Sequence, residues 1–200
     1  MQTAYHVLVP AAAYLLGNFN SGIVFSKLIF KKDLRRHGSK NPGATNAFRV
    51  LGRAAGFLVL FFDALKGTLA AAIAQRLLPG DFWPCLAGLL VVLGHVFPIL
   101  FRFKGGKGVA TTTGVTLLLQ PQVFLLELLP FFLLLFGLKY MSAASVTCGL
   151  LLPLLTFLWH RQVTPLFWLS LVLGLLIVYT HRENIRRLAR GEENKLFQKK

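Results

Sequence analysis

Arg102, Lys104 and Lys107 share the stretch "RFKGGKGVATTT" (Arg102–Thr113) with Gly105, Gly106 and Gly108. Glycines let a backbone come close to a ligand, and lysine ammonium groups are point charges suited to phosphate. The helix that "GVATTTG" opens turns its positive end toward the same place. Together these residue types describe anion binding. The stretch is not a Walker A loop, which needs G-x-x-x-x-G-K-[ST] after a strand; here Gly108 follows Lys107 and an apolar run precedes the loop. Nucleotide hydrolysis is thereby disfavoured, and a tight glycine turn with snorkelling lysines is the structural alternative.

Two further segments carry polar groups in dense supply. In "HGSKNPGATNAFRVLG" (His37–Gly52), Gly38, Ser39, Asn41, Gly43, Thr45, Asn46 and Arg49 combine backbone freedom with hydroxyl, amide and guanidinium donors. Such a loop can fold its N–H groups into a concave anion nest, with Thr45 and Asn46 expected to cap the helix that follows. "YTHRENIRRLARGEENK" (Tyr179–Lys195) leaves an apolar run as a basic amphipathic segment, in which His181, Asn184 and Arg182 or Arg187 fall at helical spacings. Ser142 and Ser145 in "KYMSAASV" are three apart and can share one helical face. Asp63 and Lys66 in "FFDALKG" have the same spacing. They can neutralise one another inside an apolar run, where a lone charge costs about 2.5–3.5 kcal/mol. His95, in "LGHVFP", reads as a buried donor more readily than as a site residue.

The elements that must hold these residues follow from composition. The 200 residues are 55% hydrophobic and 14% charged, with mean hydropathy +0.62, whereas charged residues make up about a quarter of a soluble chain. The chain belongs in a membrane, as one polytopic all-α domain over residues 1–200. Its start lacks the basic region and cleavage site of a signal peptide and reads as the first span. Cys85 and Cys148 have no metal-ligand spacing and are expected to pack as small hydrophobes. Polar breaks delimit candidate spans near 3–29, 54–78, 82–101, 107–119, 122–138, 142–159 and 164–181, a working count of seven. The fourth is short, since Val109–Leu119 covers only about 17 Å of a roughly 30 Å core, which leaves six as the alternative. Gln120-Pro121-Gln122 argues for a break after it.

Lysine and arginine orient the bundle, because cytoplasmic loops hold their excess. The first loop carries Lys27, Lys31, Lys32, Arg35, Arg36, Lys40, Arg49 and Arg53. The tail carries Arg182, Arg186, Arg187, Arg190, Lys195, Lys199 and Lys200, and Lys139 lies between the late spans. Placing these on one side with the glycine loop requires two spans between residues 53 and 102 and an even number between 108 and 181; seven spans satisfy this, with the N-terminus outside and the C-terminus cytoplasmic, and 73 residues would be a long stretch for two helices in the second half. Only Arg76 and Arg161 then lie outside. Orientation and contact with anionic headgroups account for most of the net charge of +15; no nucleic-acid partner is needed to explain it.

"GSKNPGATN", "GHVFPILFRFKGGKG" and "HRENIRRLARGEE", with "DALKG" and "KYMSAAS", resemble in order and spacing the motifs of the bacterial membrane-integral glycerol-3-phosphate acyltransferases that use acyl phosphate. The resemblance spans nearly the whole chain. It departs at Lys40, where many members have glycine, and at "GNFNSG", which replaces a serine-containing turn. What it implies is transfer of a fatty acyl group from acyl phosphate to the 1-hydroxyl of glycerol 3-phosphate, giving lysophosphatidic acid and phosphate. The implied setting is the cytoplasmic face of a bacterial inner membrane, with membrane lipid around the chain, no cofactor or metal, and no obligate protein partner.

Carried onto this sequence, the resemblance places glycerol-3-phosphate recognition on Arg49, Lys107, Ser145, His181 and Asn184. It places the acyl-phosphate headgroup on Ser39, Asn41, Gly43, Thr45 and Asn46 with Gly105 and Gly106, and the catalytic roles on His181, Asn184 and Lys107. There is no G-x-S-x-G elbow and no H-x-x-x-x-D motif, and no acidic residue occurs in the three segments before Glu183. An acyl-enzyme route is therefore disfavoured, and direct attack by the substrate hydroxyl is expected. On this reading Gly106→Ala damages activity more than stability. A phosphate or organophosphate transporter is the competing class, but the polar groups gather at one surface instead of the midplane.

Overall fold

The computed structural model describes residues 2–196, and among them every regular element is helical. Lys199 and Lys200, counted above with the basic tail, lie outside the described residues. Contacts divide the chain into two compact units, Met1–Leu119 and Gln120–Lys200, where the sequence shows no domain boundary other than the polar break at Gln120.

In the first unit, α1 (Gln2–Asn18) and α2 (Ser21–Leu28) occupy the stretch expected as one span. The chain breaks between them, and the two axes diverge by 44°. Asn20 produces the restart, accepting the Ile23 N–H on Oδ1 at 3.2 Å as an N-cap. The 3₁₀ turn Leu34–Arg36 and α3 (Ala44–Leu51) follow, then α4 (Arg53–Leu77), α5 (Phe82–Val96), a second 3₁₀ turn at Ile99–Phe101, and α6 (Val109–Leu119). Small residues let these helices meet at backbone distance, as lipid-embedded packing favours. A methyl group on Gly17 would strike the Val91 carbonyl, one on Gly94 the Tyr14 carbonyl, and one on Gly114 the Ala64 carbonyl. Thr68 adds a hydrogen bond from Oγ1 to the Gly114 carbonyl at 2.9 Å. Leu34, Ala47 and Val59 form a small buried cluster that seats the first polar loop on α4.

The second unit contains α7 (Pro121–Leu138), α8 (Met141–His160), α9 (Pro165–Thr180) and α10 (Arg182–Ala189). Pro121 and Pro165 stand at first helical positions, where a missing N–H costs nothing. A methyl group on Gly174 would strike the Gly149 carbonyl, so α8 and α9 also pack through glycine. Gln120, Thr156 and Ser170 close a buried polar triangle with sides of 2.9 to 3.0 Å. Leu125, Leu129, Leu133 and Phe136 of α7 are 60% exposed or more. Facing lipid, such a surface has no water to avoid.

Arg53–Leu77, Phe82–Phe101, Pro121–Leu138 and Met141–His160 are each long and apolar enough to cross a bilayer; the bent pairs α1–α2 and α9–α10 raise that number to six. Helix α6, with 11 residues, is shorter than a span, as its sequence length implied.

Candidate active site

The first polar segment folds around Asn46, not around an open nest. Helix α3 begins at Ala44 with Gly43 as its N-cap and no side-chain cap, so Thr45 and Asn46 lie in the first turn instead of capping it. The Asn46 amide is 1% exposed and turned into the loop: Nδ2 donates to the Leu34 and His37 carbonyls at 3.1 and 3.0 Å, and Oδ1 accepts the Ser39 N–H at 3.0 Å. Asn41 Oδ1 accepts the Gly43 N–H at 2.9 Å. Of the residues expected at an acyl-phosphate headgroup, Ser39 is exposed, Asn41, Gly43 and Thr45 are half-buried, and Asn46 braces their loop. Arg49 is exposed on α3. Lys40 holds φ at +59°, a left-handed conformation that glycine adopts freely and lysine does not.

Just before this loop, Asp33 takes a two-pronged grip from Arg35, with Nε to Oδ1 at 3.0 Å and Nη2 to Oδ2 at 2.8 Å. These hydrogen bonds hold its carboxyl down at about 2. The acid is thus neutralised within a shallow concavity that it shares with Lys27, Lys31, Lys32, Arg36 and His37, and the local field stays positive.

The glycine loop hangs on α5. The Gly106 N–H donates to the His95 carbonyl at 3.1 Å, Gly106 is buried, Gly105 and Lys107 are half-buried, and Lys104 is exposed. Gly108 turns the chain into α6 with φ +84°. His95 is 3% exposed beside Asp63 and Lys66. The Asp63–Lys66 pair forms as its spacing implied, at 2.9 Å, and His95 joins it through Nδ1, 2.8 Å from Lys66 Nζ.

In the second unit the chain bends by 57° at His181, between α9 and α10. His181 Nδ1 lies 2.8 Å from the Ile177 carbonyl. A carbonyl can only accept, so Nδ1 carries a proton. Ser142 and Ser145 are both buried, at 5% and 3% exposure, on α8. Ser145 Oγ donates to the Met141 carbonyl at 2.9 Å. The residue that sequence reasoning missed is Glu193. Its Oε1 accepts Asn184 Nδ2 at 2.7 Å and Ser142 Oγ at 3.0 Å, while Oε2 accepts Arg187 Nε at 2.7 Å. A carboxylate closing a segment otherwise rich in cations was the available signal. Among the described residues no group of three or more His, Cys, Asp or Glu side chains could hold a metal ion.

Apolar helices of bilayer length define a multi-pass membrane protein. The chain matches the glycerol-3-phosphate acyltransferase family over residues 7–191, and it belongs to that family. It is 40% identical to the glycerol-3-phosphate acyltransferase of Alkaliphilus metalliredigens over 97% of both chains. Against the Bacillus subtilis protein of the same name it is 44% identical, over 94% of this chain and 96% of the other. Among solved structures it resembles PlsY, an integral membrane glycerol 3-phosphate acyltransferase, in its glycerol 3-phosphate form: TM-score 0.90, 40% identity, 96% of this chain and 98% of that one. The lysophosphatidic acid form gives TM-score 0.86 and 38% identity, with 94% of each chain covered.

Proposed function

We propose that this chain transfers a fatty acyl group from acyl phosphate to the 1-hydroxyl of glycerol 3-phosphate, releasing lysophosphatidic acid and inorganic phosphate. The observation that carries the chemistry is the 2.8 Å hydrogen bond that His181 Nδ1 donates to the Ile177 carbonyl. With Nδ1 donating to Ile177, Nε2 is the nitrogen able to take the proton of the attacking hydroxyl. The hydroxyl oxygen attacks the acyl carbonyl carbon directly, donors from Asn184 and Lys107 stabilise the oxyanion, and phosphate leaves with the bonding electron pair, so no acyl-enzyme forms. Phosphate is already a good leaving group, which lowers the demand on the base.

For glycerol 3-phosphate, Arg49 and Lys107 supply charge-assisted bonds to phosphate, and Ser145, His181 and Asn184 supply partners for the hydroxyls. For the acyl-phosphate headgroup, Ser39, Asn41, Gly43 and Thr45 with Gly105 and Gly106 offer side-chain and backbone donors, and Asn46 serves by shaping the loop. Seven membrane segments, counting the short α6, with the N-terminus outside and the C-terminus cytoplasmic, put the basic loops on the cytoplasmic side of a bacterial inner membrane. The reaction calls for no cofactor, metal or obligate protein partner.

The deciding experiment gives purified protein acyl phosphate and radiolabelled glycerol 3-phosphate, with acyl-CoA as the alternative donor. Lysophosphatidic acid and phosphate in equal amounts from acyl phosphate alone are expected. A burst of phosphate or a trapped acyl-protein in rapid-quench samples would overturn direct attack.

A further inference from the structure

One buried set of charges has no part in the chemistry assigned so far. Lys66, Asp63 and His95 are 3%, 1% and 3% exposed, all in the first unit. The Lys66 ammonium hydrogen-bonds His95 Nδ1 at 2.8 Å and the carbonyls of Phe19 at 2.8 Å and Gly17 at 3.4 Å, and it forms an ion pair with Asp63 Oδ1 at 2.9 Å, which also lies 3.5 Å from His95 Nδ1. Those carbonyls are available because the first helix stops at Asn18 and restarts at Ser21. An ammonium only donates, so His95 Nδ1 accepts and the neutral ring carries its proton on Nε2. That atom is the one a methyl group on Gly106 would strike, and a methyl group on Gly105 would strike the His95 carbonyl, which already holds the Gly106 N–H. The first helix is fastened to the same connection twice more. Tyr14 OH donates to the Phe97 carbonyl at 2.8 Å, and Asn18 Oδ1 accepts the Leu100 N–H at 3.3 Å.

We infer that Lys66 is a positioning residue for acyl transfer: its ammonium ties the break in the first helix to the His95 imidazole and, through His95, fixes the backbone of Gly105–Lys107 in its phosphate-binding shape. The inference rests on the reading of that loop as a phosphate ligand. Apolar side chains could fill the same volume, but they would leave the buried Gly17 carbonyl and the part-buried Phe19 carbonyl without this donor and could not set the rotation of the imidazole against which the loop lies. A buried ionic group is best justified where it fixes a unique geometry.

The test compares the parent with Asp63→Asn/Lys66→Met, His95→Leu and His95→Asn in lipid nanodiscs, by steady-state kinetics, thermal melting and backbone hydrogen exchange. The paired variant removes both charges, so no lone charge is buried. It and His95→Leu are expected to lower kcat/KM at least tenfold, mainly through KM, for acyl phosphate, which Gly105 and Gly106 hold, and for glycerol 3-phosphate, which Lys107 holds, and to speed exchange at Gly105–Lys107 at least tenfold. His95→Asn, whose Oδ1 can accept from Lys66, is expected to recover most of the loss. Lowered melting with parental KM and parental loop exchange overturns the inference, because a group that merely fills space behaves that way. Should the paired variant fail to fold, the two His95 variants decide: equal kinetics overturn it. Lys107→Ala separates the two readings. A parental KM there rejects the phosphate loop and the inference with it, whereas a raised KM there beside parental network variants rejects the inference alone.

Discussion

Asn184 and Ser142 are joined through one carboxylate oxygen, Glu193 Oε1, which accepts from the first at 2.7 Å and from the second at 3.0 Å. With Arg187 on Oε2, one side chain fixes the rotamers of groups on α8 and α10. Glu193→Ala removes the acceptor that these donors share and is expected to cost about 1–3 kcal/mol, since Arg187 is 36% exposed and keeps access to water. Activity falls with it. Glu193→Gln, which keeps an acceptor, loses less. Melting in detergent beside turnover of the same preparation checks this, and parental melting of Glu193→Ala refutes it.

Lys107→Ala and Arg49→Ala are expected to raise the glycerol-3-phosphate KM about ten- to a hundredfold, since each removes charge-assisted bonds of roughly 1.5–3 kcal/mol. Unchanged KM and kcat in folded protein would remove either residue from the site.

Gly106→Ala drives a methyl group into the His95 ring. The structure therefore changes what the sequence implied: melting temperature and turnover are expected to fall together, not turnover alone. Adding His95→Ala vacates that volume, so the double variant is expected to melt higher than the sum of the single losses, by about 0.5–3 kcal/mol of coupling. Strict additivity would place the two residues out of contact.

Asp33 titrates lower in the folded protein, at about 2 instead of 3.8, chiefly because Arg35 hydrogen-bonds its carboxylate. A depressed folded value stabilises above the unfolded pKa and is lost as the pH drops through the folded one. Asp33→Asn should thus melt below the parent at neutral pH, and the gap should close as the pH is lowered from about 4 toward 2. A gap independent of pH would mean that the charge is not what stabilises.

Lys40→Gly removes a side chain from a left-handed position at φ +59°. The strain relieved is roughly 1–2 kcal/mol and the added unfolded-state entropy roughly 0.5–1 kcal/mol, so melting should stay level or rise. A clear drop in melting would show that the ammonium contributes more than the strain costs.

The span ends were legible because hydropathy changes sharply there: Arg53–Leu77 and Pro121–Leu138 fall within a residue of their expected limits. The break after Asn18 was not expected inside the first span, although "GNFNSG" supplies glycine and amide turn residues there and Asn20 the cap. Asp63–Lys66 could be read from a spacing of three. Its extension to His95, 29 residues from Lys66, is a product of packing. Asn46 shows the opposite difficulty: an amide rich in donors suits a ligand and a loop brace equally, and only the positions of the Leu34 and His37 carbonyls decide. Glu193 escaped notice because the three donors it gathers come from residues 142, 184 and 187, far apart in sequence on one side.

The counter-charge of Lys66 sits on its own helix, one turn away at Asp63. The apolar part of α4 between Arg53 and Arg76 can consequently enter the bilayer net-neutral during synthesis, before any neighbour is present, and so avoid much of the roughly 2.5–3.5 kcal/mol that a solitary cation would cost at insertion. The carbonyls of the broken first helix are already in place when α4 arrives, because they precede it in the chain, whereas His95 follows. Assembly of this network thus has a direction, from the N-terminus onward, and the glycine loop is the last part to be drawn onto it.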